Sequence, residues 1–151
     1  MKKKKPVRKK PDANKKKKSS AMPKEKTGLL LVGHGSRVPE AGRVLIQVAA
    51  SLRRAFRGFV VEPCFLEISQ PDVQTGIDRC VAQGAQRILI VPYFLYLGGH
   101  VGRDIPQHMS EARARHAGLE IRIAPHLDFD RRIVAVVEDR IKTGLRLGRW
   151  S

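Results

Sequence analysis

Three side chains in this sequence stand where chemistry could be done. His34 lies between two glycines directly after the apolar run Leu29-Leu30-Leu31-Val32. Glu67 ends the stretch Phe65-Leu66-Glu67, and His100 follows the pair Gly98-Gly99. Imidazole and carboxylate both accept divalent transition metals, and a neutral imidazole also takes up a proton near pH 7. Two histidines and one acid leave coordination positions open, which suits an ion in transit better than one held for structure. Each residue also has a plain structural reading. His34 reads as a turn residue, Glu67 as an acid beside the helix start at Ser69, and His100 as a loop histidine. The case for a site rests on where the surrounding elements put the three.

Those elements follow from periodicity and punctuation. The run ending at Gly33 has the continuous apolar character of a buried parallel strand. Residues 39–57 read as a helix: Val44, Leu45, Val48, Ala49, Leu52 and Phe56 recur at three- and four-residue spacing, with Pro39 at the start and Gly58 at the end. A second strand is predicted over 59–66, rich in β-branched and aromatic residues. Ser69-Gln70-Pro71-Asp72 is a helix-start signal, and that helix runs to about 83, where Gly84 stops it. The third strand, 87–92, leads into Tyr93-Phe94-Leu95-Tyr96-Leu97-Gly98-Gly99-His100. A third helix is predicted within 101–116, with Pro106 near its start. A fourth strand over 119–124, the loop Pro125-His126-Leu127-Asp128 and a last helix over 129–145 complete the chain. Strict β-α alternation argues for a four-stranded parallel sheet with helices on both faces. In such a sheet, groups just past the carboxyl ends of the strands line one crevice. His34, Glu67 and His100 follow three different strands and so share one rim.

The chain of 151 residues fits one domain and a tail: a Lys-rich segment over 1–26, a folded body over 27–146 and a short end over 147–151. The net charge of +16 is concentrated in the first segment, which holds 13 of the 30 Lys/Arg residues and only two of the 14 acids. With so few apolar residues and so much self-repulsion, this tail is expected to be disordered. Three readings stay open for it: nonspecific contact with polyanions through charge, a solvated tail with no partner, or a segment absent from the mature protein, since Met22 offers a second start. It has no apolar core of a secretory signal, and no run in the chain reaches the length of a membrane span. Cys64 and Cys80 form no Cys-x-x-Cys pair, so a zinc ribbon or thioredoxin-like site is not supported, and two free thiols in a reducing cytoplasm are expected.

Leu31-Val32-Gly33-His34-Gly35-Ser36-Arg37, Phe65-Leu66-Glu67, Val91-Pro92-Tyr93-Phe94-Leu95, Gly99-His100-Val101 and Asp104-Ile105-Pro106 together resemble the short CbiX/SirB family of sirohydrochlorin chelatases, the class II tetrapyrrole chelatases. The likeness spans about 27–141 and leaves out the basic tail. It implies a chelatase-like, flavodoxin-like α/β fold. It also implies insertion of Co2+ or Fe2+, with Ni2+ a further candidate, into sirohydrochlorin without ATP, in cobalamin or siroheme biosynthesis. For the short form it implies a cytoplasmic homodimer whose halves echo a tandem long form. By the same resemblance His34 is a metal ligand and proton acceptor, His100 the second metal histidine, and Glu67 an acid that assists metal binding. Leu95, Tyr96, Leu97, Gly98 and Gly99 match the loop that lies against the macrocycle. His126 also matches a family feature and is given a structural role. The many carboxylates of sirohydrochlorin call for a basic rim. Arg37 and Arg103 are the candidates, and Arg131 and Arg132 read better as surface charge.

Metallation must remove pyrrole N–H protons, so a base belongs beside the incoming ion, and an imidazole serves near pH 7. Metal and proton then compete for His34. Three other readings use the same residues or the tail. A metal or tetrapyrrole carrier would have the same ligands and no turnover. A phosphoryl-transfer enzyme would use His34 as nucleophile, but the residue before it is Gly33 where histidine phosphatases have arginine. A polyanion-binding module would depend on the tail alone. The ligand types do not separate cobalt from iron.

Overall fold

The computed structural model describes residues 25–99 and 101–148. Eight elements alternate along the chain: β1 (Thr27–Gly33), α1 (Pro39–Ala55), β2 (Val60–Phe65), α2 (Val73–Ala82), β3 (Arg87–Pro92), α3 (Val101–Arg115), β4 (Glu120–Ile123) and α4 (Arg131–Arg146). The strands form one parallel sheet, as the β-α alternation predicts, in the order β2-β1-β3-β4. Residues 1–24 of the expected 1–26 tail, His100 and residues 149–151 lie outside the described residues.

β1 is central because it has no polar face. Leu30 and Val32 enter a core with α2 and α3, while Leu29 and Leu31 enter a second core beneath α1. A strand apolar on both sides has to be covered on both sides. α2 lies especially close to the sheet. A Cβ at Gly76 would stand 2.7 Å from Leu30 Cδ1 and 2.9 Å from Cys64 Cβ, so glycine is what permits that approach. Asp72 starts α2 by accepting a hydrogen bond from the Thr75 amide at 2.7 Å. Hydrogen bonding from Thr75, backbone first and then side chain, holds the Asp72 carboxyl below its usual range.

The two edge strands are secured by the same device. The Arg53 guanidinium of α1 donates to the Val61 carbonyl at 2.7 and 3.0 Å, and Arg113 of α3 donates to the Ile121 carbonyl at 3.0 Å. Each arginine thus ties a helix to the edge strand that follows it and occupies a carbonyl there.

Two elements depart from the sequence pattern. Pro106 sits inside α3 rather than at its beginning, because the helix starts at Val101. Pro106 is the sixth residue of α3, past the first four unpaired amides, so it removes one intrahelical hydrogen bond. α4 carries the apolar stripe Ile133, Val137, Ile141 and Leu145 at four-residue spacing, yet none of its residues is buried.

α2 and α3 are joined by a polar cluster. Asp78 receives the His116 ring nitrogen at 2.7 Å and the Arg115 guanidinium at 2.6 Å, and Arg115 also donates to the Gln74 amide oxygen at 3.1 Å. Partial burial pushes the Asp78 carboxyl up, but the hydrogen bonds from His116 and Arg115 outweigh it and hold the group below its usual range. A carboxyl lowered by folding stabilises the native state above its unfolded pKa of about 4, and that contribution fades as pH falls through the folded value. Asp78→Asn is therefore expected to lose about 1 kcal/mol at pH 7 and less at pH 3. Urea denaturation at both pH values measures it, and an equal loss at each would rule out the charge as its source.

Candidate active site

The sheet order reverses direction between β1 and β3, and the crevice of a doubly wound sheet opens at that point, above the carboxyl ends of the strands. His34 leaves β1 on one side of it, and Tyr93-Phe94 leave β3 on the other. A cleft of about 400 Å3 lies there, lined by His34, Tyr93, Phe94, Leu95, Tyr96, Gly98 and Val101. A second cleft of about 250 Å3 lies toward α1, and His34, Tyr93 and Phe94 line it too, with Ser36, Val44 and Phe65 among its other walls. His34 stands in the wall between them.

The imidazole is exposed and meets the Phe94 ring edge to face, with centroids 6.4 Å apart at 85°. Among the described residues no side chain hydrogen-bonds the ring, so both nitrogens are available to a ligand. The backbone beneath it is firmly held. Tyr93 N–H donates to the Val32 carbonyl at 2.8 Å, Leu66 N–H to the Gly33 carbonyl at 3.0 Å, and Glu67 N–H to the His34 carbonyl at 3.0 Å. The sheet's hydrogen bonding thus continues past the ends of the strands and sets His34 and Glu67 side by side, as their placement after adjacent strands predicts.

Glu67 is exposed on the same rim. Arg37 and Arg103 are exposed, the first in the β1–α1 loop and the second in the first turn of α3. Leu95, Tyr96 and Leu97 present apolar surface to solvent. Gly98 and Gly99 continue that loop with open space where a Cβ would stand, so they leave room above the cleft. His100, the expected second histidine, lies outside the described residues. Among the described residues no three His, Cys, Asp or Glu side chains gather into a metal site.

The remaining candidates do other work. Asp130 caps α4: its carboxylate accepts from the Arg132 amide and guanidinium at 2.7 to 2.8 Å, and Arg132 holds that carboxyl below its usual range. His126 precedes Leu127, whose amide donates to the Phe94 carbonyl at 2.9 Å and ties the β4 exit to the cleft wall. Cys64 and Cys80 are buried, and burial pushes both thiols up, Cys80 to about 12, so neither offers a thiolate at neutral pH. Tyr93 and Phe94, which the sequence offers only as part of the family motif, line both clefts. Their sequence signal was two rings directly after the most apolar strand.

Comparison with known proteins places this architecture among relatives. The family model CbiX matches residues 28–144. A protein named sirohydrochlorin cobaltochelatase from Sulfolobus acidocaldarius is 36% identical over 118 residues, covering 78% of this chain and 92% of that one. A sirohydrochlorin ferrochelatase from Priestia megaterium is 33% identical over 113 residues, 75% of this chain and 42% of the relative. The solved structure of the sirohydrochlorin chelatase SirB from Bacillus subtilis subspecies spizizenii in complex with cobalt superposes with a TM-score of 0.72 at 33% identity, over 78% of this chain and 50% of that one. The chain thus spans about half the length of these longer relatives and nearly all of the archaeal one.

Gly35 is the tightest point of the rim. Its φ is +100°, and a Cβ there would lie 1.8 Å from the Glu67 carbonyl oxygen. Gly35→Ala must displace one loop from the other. A stability loss of about 2–4 kcal/mol is expected, read as a fall in Tm. A Tm within a degree of wild type would show that the two loops are not in the contact described.

Proposed function

This chain belongs to the CbiX family, and we propose that it inserts Co2+ or Fe2+ into sirohydrochlorin. His34 carries the reading. It is an imidazole with no side-chain partner among the described residues, fixed through its backbone at the mouth of two clefts and beside a carboxylate. The wider cleft, walled by Tyr93, Phe94, Leu95 and Tyr96, offers aromatic and aliphatic surface to one face of a flat macrocycle. Arg37 and Arg103 supply the cationic edge for its carboxylates.

The metal is substrate here. His34 and Glu67 receive it, with His100 as the further donor that the family pattern supplies. Nitrogen and oxygen donors in an incomplete shell release an ion more readily than thiolates would. Two pyrrole N–H protons leave as the ion enters the ring: His34 takes up one once the ion has left it, and the other passes to water. The ion and the proton use the same imidazole, so arrival of one must follow departure of the other. Nothing in this sequence of events requires ATP. Two buried free thiols fit a reducing, cytoplasmic setting, and no helix among the described residues is long and apolar enough to cross a membrane.

The active form in this reading is a homodimer. α4 supports it: Val136, Val137, Ile141 and Leu145 are each more than half exposed on a helix with no buried residue. Contiguous apolar surface of this kind on a soluble domain marks an interface. A cleft open on one side also covers only one face of the macrocycle, which leaves the other for a second copy.

Anaerobic absorbance of sirohydrochlorin with Co2+ or Fe2+ tests the activity. Wild type should metallate well above the uncatalysed rate, His34→Ala should lose about 10²–10⁴-fold and Glu67→Gln about tenfold. Pigment bound at background rate would replace the enzyme with a carrier. Light scattering tests the assembly. Val137→Glu with Ile141→Glu should weaken dimerisation about a hundredfold without loss of helix content. A monomeric wild type at micromolar concentration would end the dimer reading.

A further inference from the structure

Ser69 reads in the sequence only as part of a helix-start signal, but the structure gives its hydroxyl another task. Oγ accepts a hydrogen bond from the Ser36 amide at 3.0 Å and donates to the Ser36 carbonyl at 2.9 Å. Both partners are backbone, in the residue two beyond His34, and the hydroxyl is partly buried. The opposite side of His34 is held by Leu66 and Glu67, whose amides bond the Gly33 and His34 carbonyls. His34 and Gly35 are thus bracketed by hydrogen bonds to a single neighbouring loop.

That loop is bent to make this possible. Ile68, between Glu67 and Ser69, has φ 66°, a left-handed conformation rare for a β-branched residue. Its side chain is 63% exposed, so burial does not explain the bend. The bend turns Ser69 back over Ser36, and the Ser69 amide closes it on the Glu67 carbonyl at 2.6 Å. Strain held in an exposed turn beside a site, with no packing return, points to a role at the site.

We infer that Ser69 is a positioning residue. Its hydroxyl locks the His34-Gly35-Ser36 segment to the Glu67-Ile68-Ser69 segment and so fixes the imidazole and the carboxylate relative to one another. This rests on the proposal that those two groups act in metallation. Gly35 explains why a lock is needed: glycine is conformationally permissive, and without the clamp the segment can swing about it.

The test compares Ser69→Ala, Ser69→Val and Ser69→Thr in the full chain. Loss of alignment should lower kcat about 10- to 100-fold in the Ala and Val variants, with KM for sirohydrochlorin unchanged within about twofold, while Thr, which keeps the hydroxyl, stays within about threefold of wild type. Co2+ affinity, measured by calorimetry without turnover, should follow the same order. Wild-type kcat in Ser69→Ala would overturn the inference, as would equal losses in Thr and Val, or a loss confined to KM. If wild type itself metallates only at background, the chelatase reading fails, and the Co2+ affinities then decide the clamp alone. Weaker binding in Ala and Val with recovery in Thr upholds it, and equal binding in all four proteins overturns it.

Discussion

The hydrogen-bond ladder on both edges of β1 governs this molecule. β1 pairs with β2 on one side and β3 on the other, and neither ladder stops where the strand does. Val32, Gly33 and His34 go on accepting amides from Tyr93, Leu66 and Glu67 beyond the last strand residues. Neighbouring strands stand about 4.8 Å apart, so the side chains that leave adjacent strands at one level start within reach of a shared ion. The rim inherits its spacing from the sheet, and the loops need only preserve it.

Preservation costs conformational freedom at particular residues. Gly35 takes a positive φ and presents a bare Cα to the Glu67 carbonyl. Ile68 is held in a left-handed conformation at the surface. Neither adds to the hydrophobic core, whose two clusters lie on opposite faces of the sheet below. A stiff, well-packed sheet can carry such local costs at its edge, and sites on rigid scaffolds commonly do. The imidazole above keeps both ring nitrogens free of side-chain partners among the described residues, which the proposed role as ligand and base requires.

The interior is complete around β1 and incomplete at the chain's end. α1, α2 and α3 each bury residues against the sheet, whereas α4 buries none and turns its apolar stripe outward. The relatives divide in the same sense. This chain covers nearly all of the archaeal cobaltochelatase and about half of the longer chelatases. The proposed homodimer would cover both the bare apolar helix and the open side of the cleft.

Much of this was legible in the residues themselves. Continuous apolar runs fixed β1 and β3, helical spacing fixed α1 and α2, and glycines marked where they end, because burial imposes its period directly on the chain. Strand-end logic then put His34 and Glu67 on one rim without any knowledge of distance. The same periodicity could not say whether the α4 stripe is covered by its own sheet, since an amphipathic helix has one pattern whatever partner it meets. Nor could it reveal the aromatic walls, the arginines that tie α1 and α3 to the edge strands, or the clamp from Ser69 to Ser36. Those contacts join residues as many as 33 positions apart through one or two hydrogen bonds, and local sequence carries no record of such pairings. Burial periodicity is written along the chain, but side-chain partnerships across loops exist only once the sheet has brought those loops together.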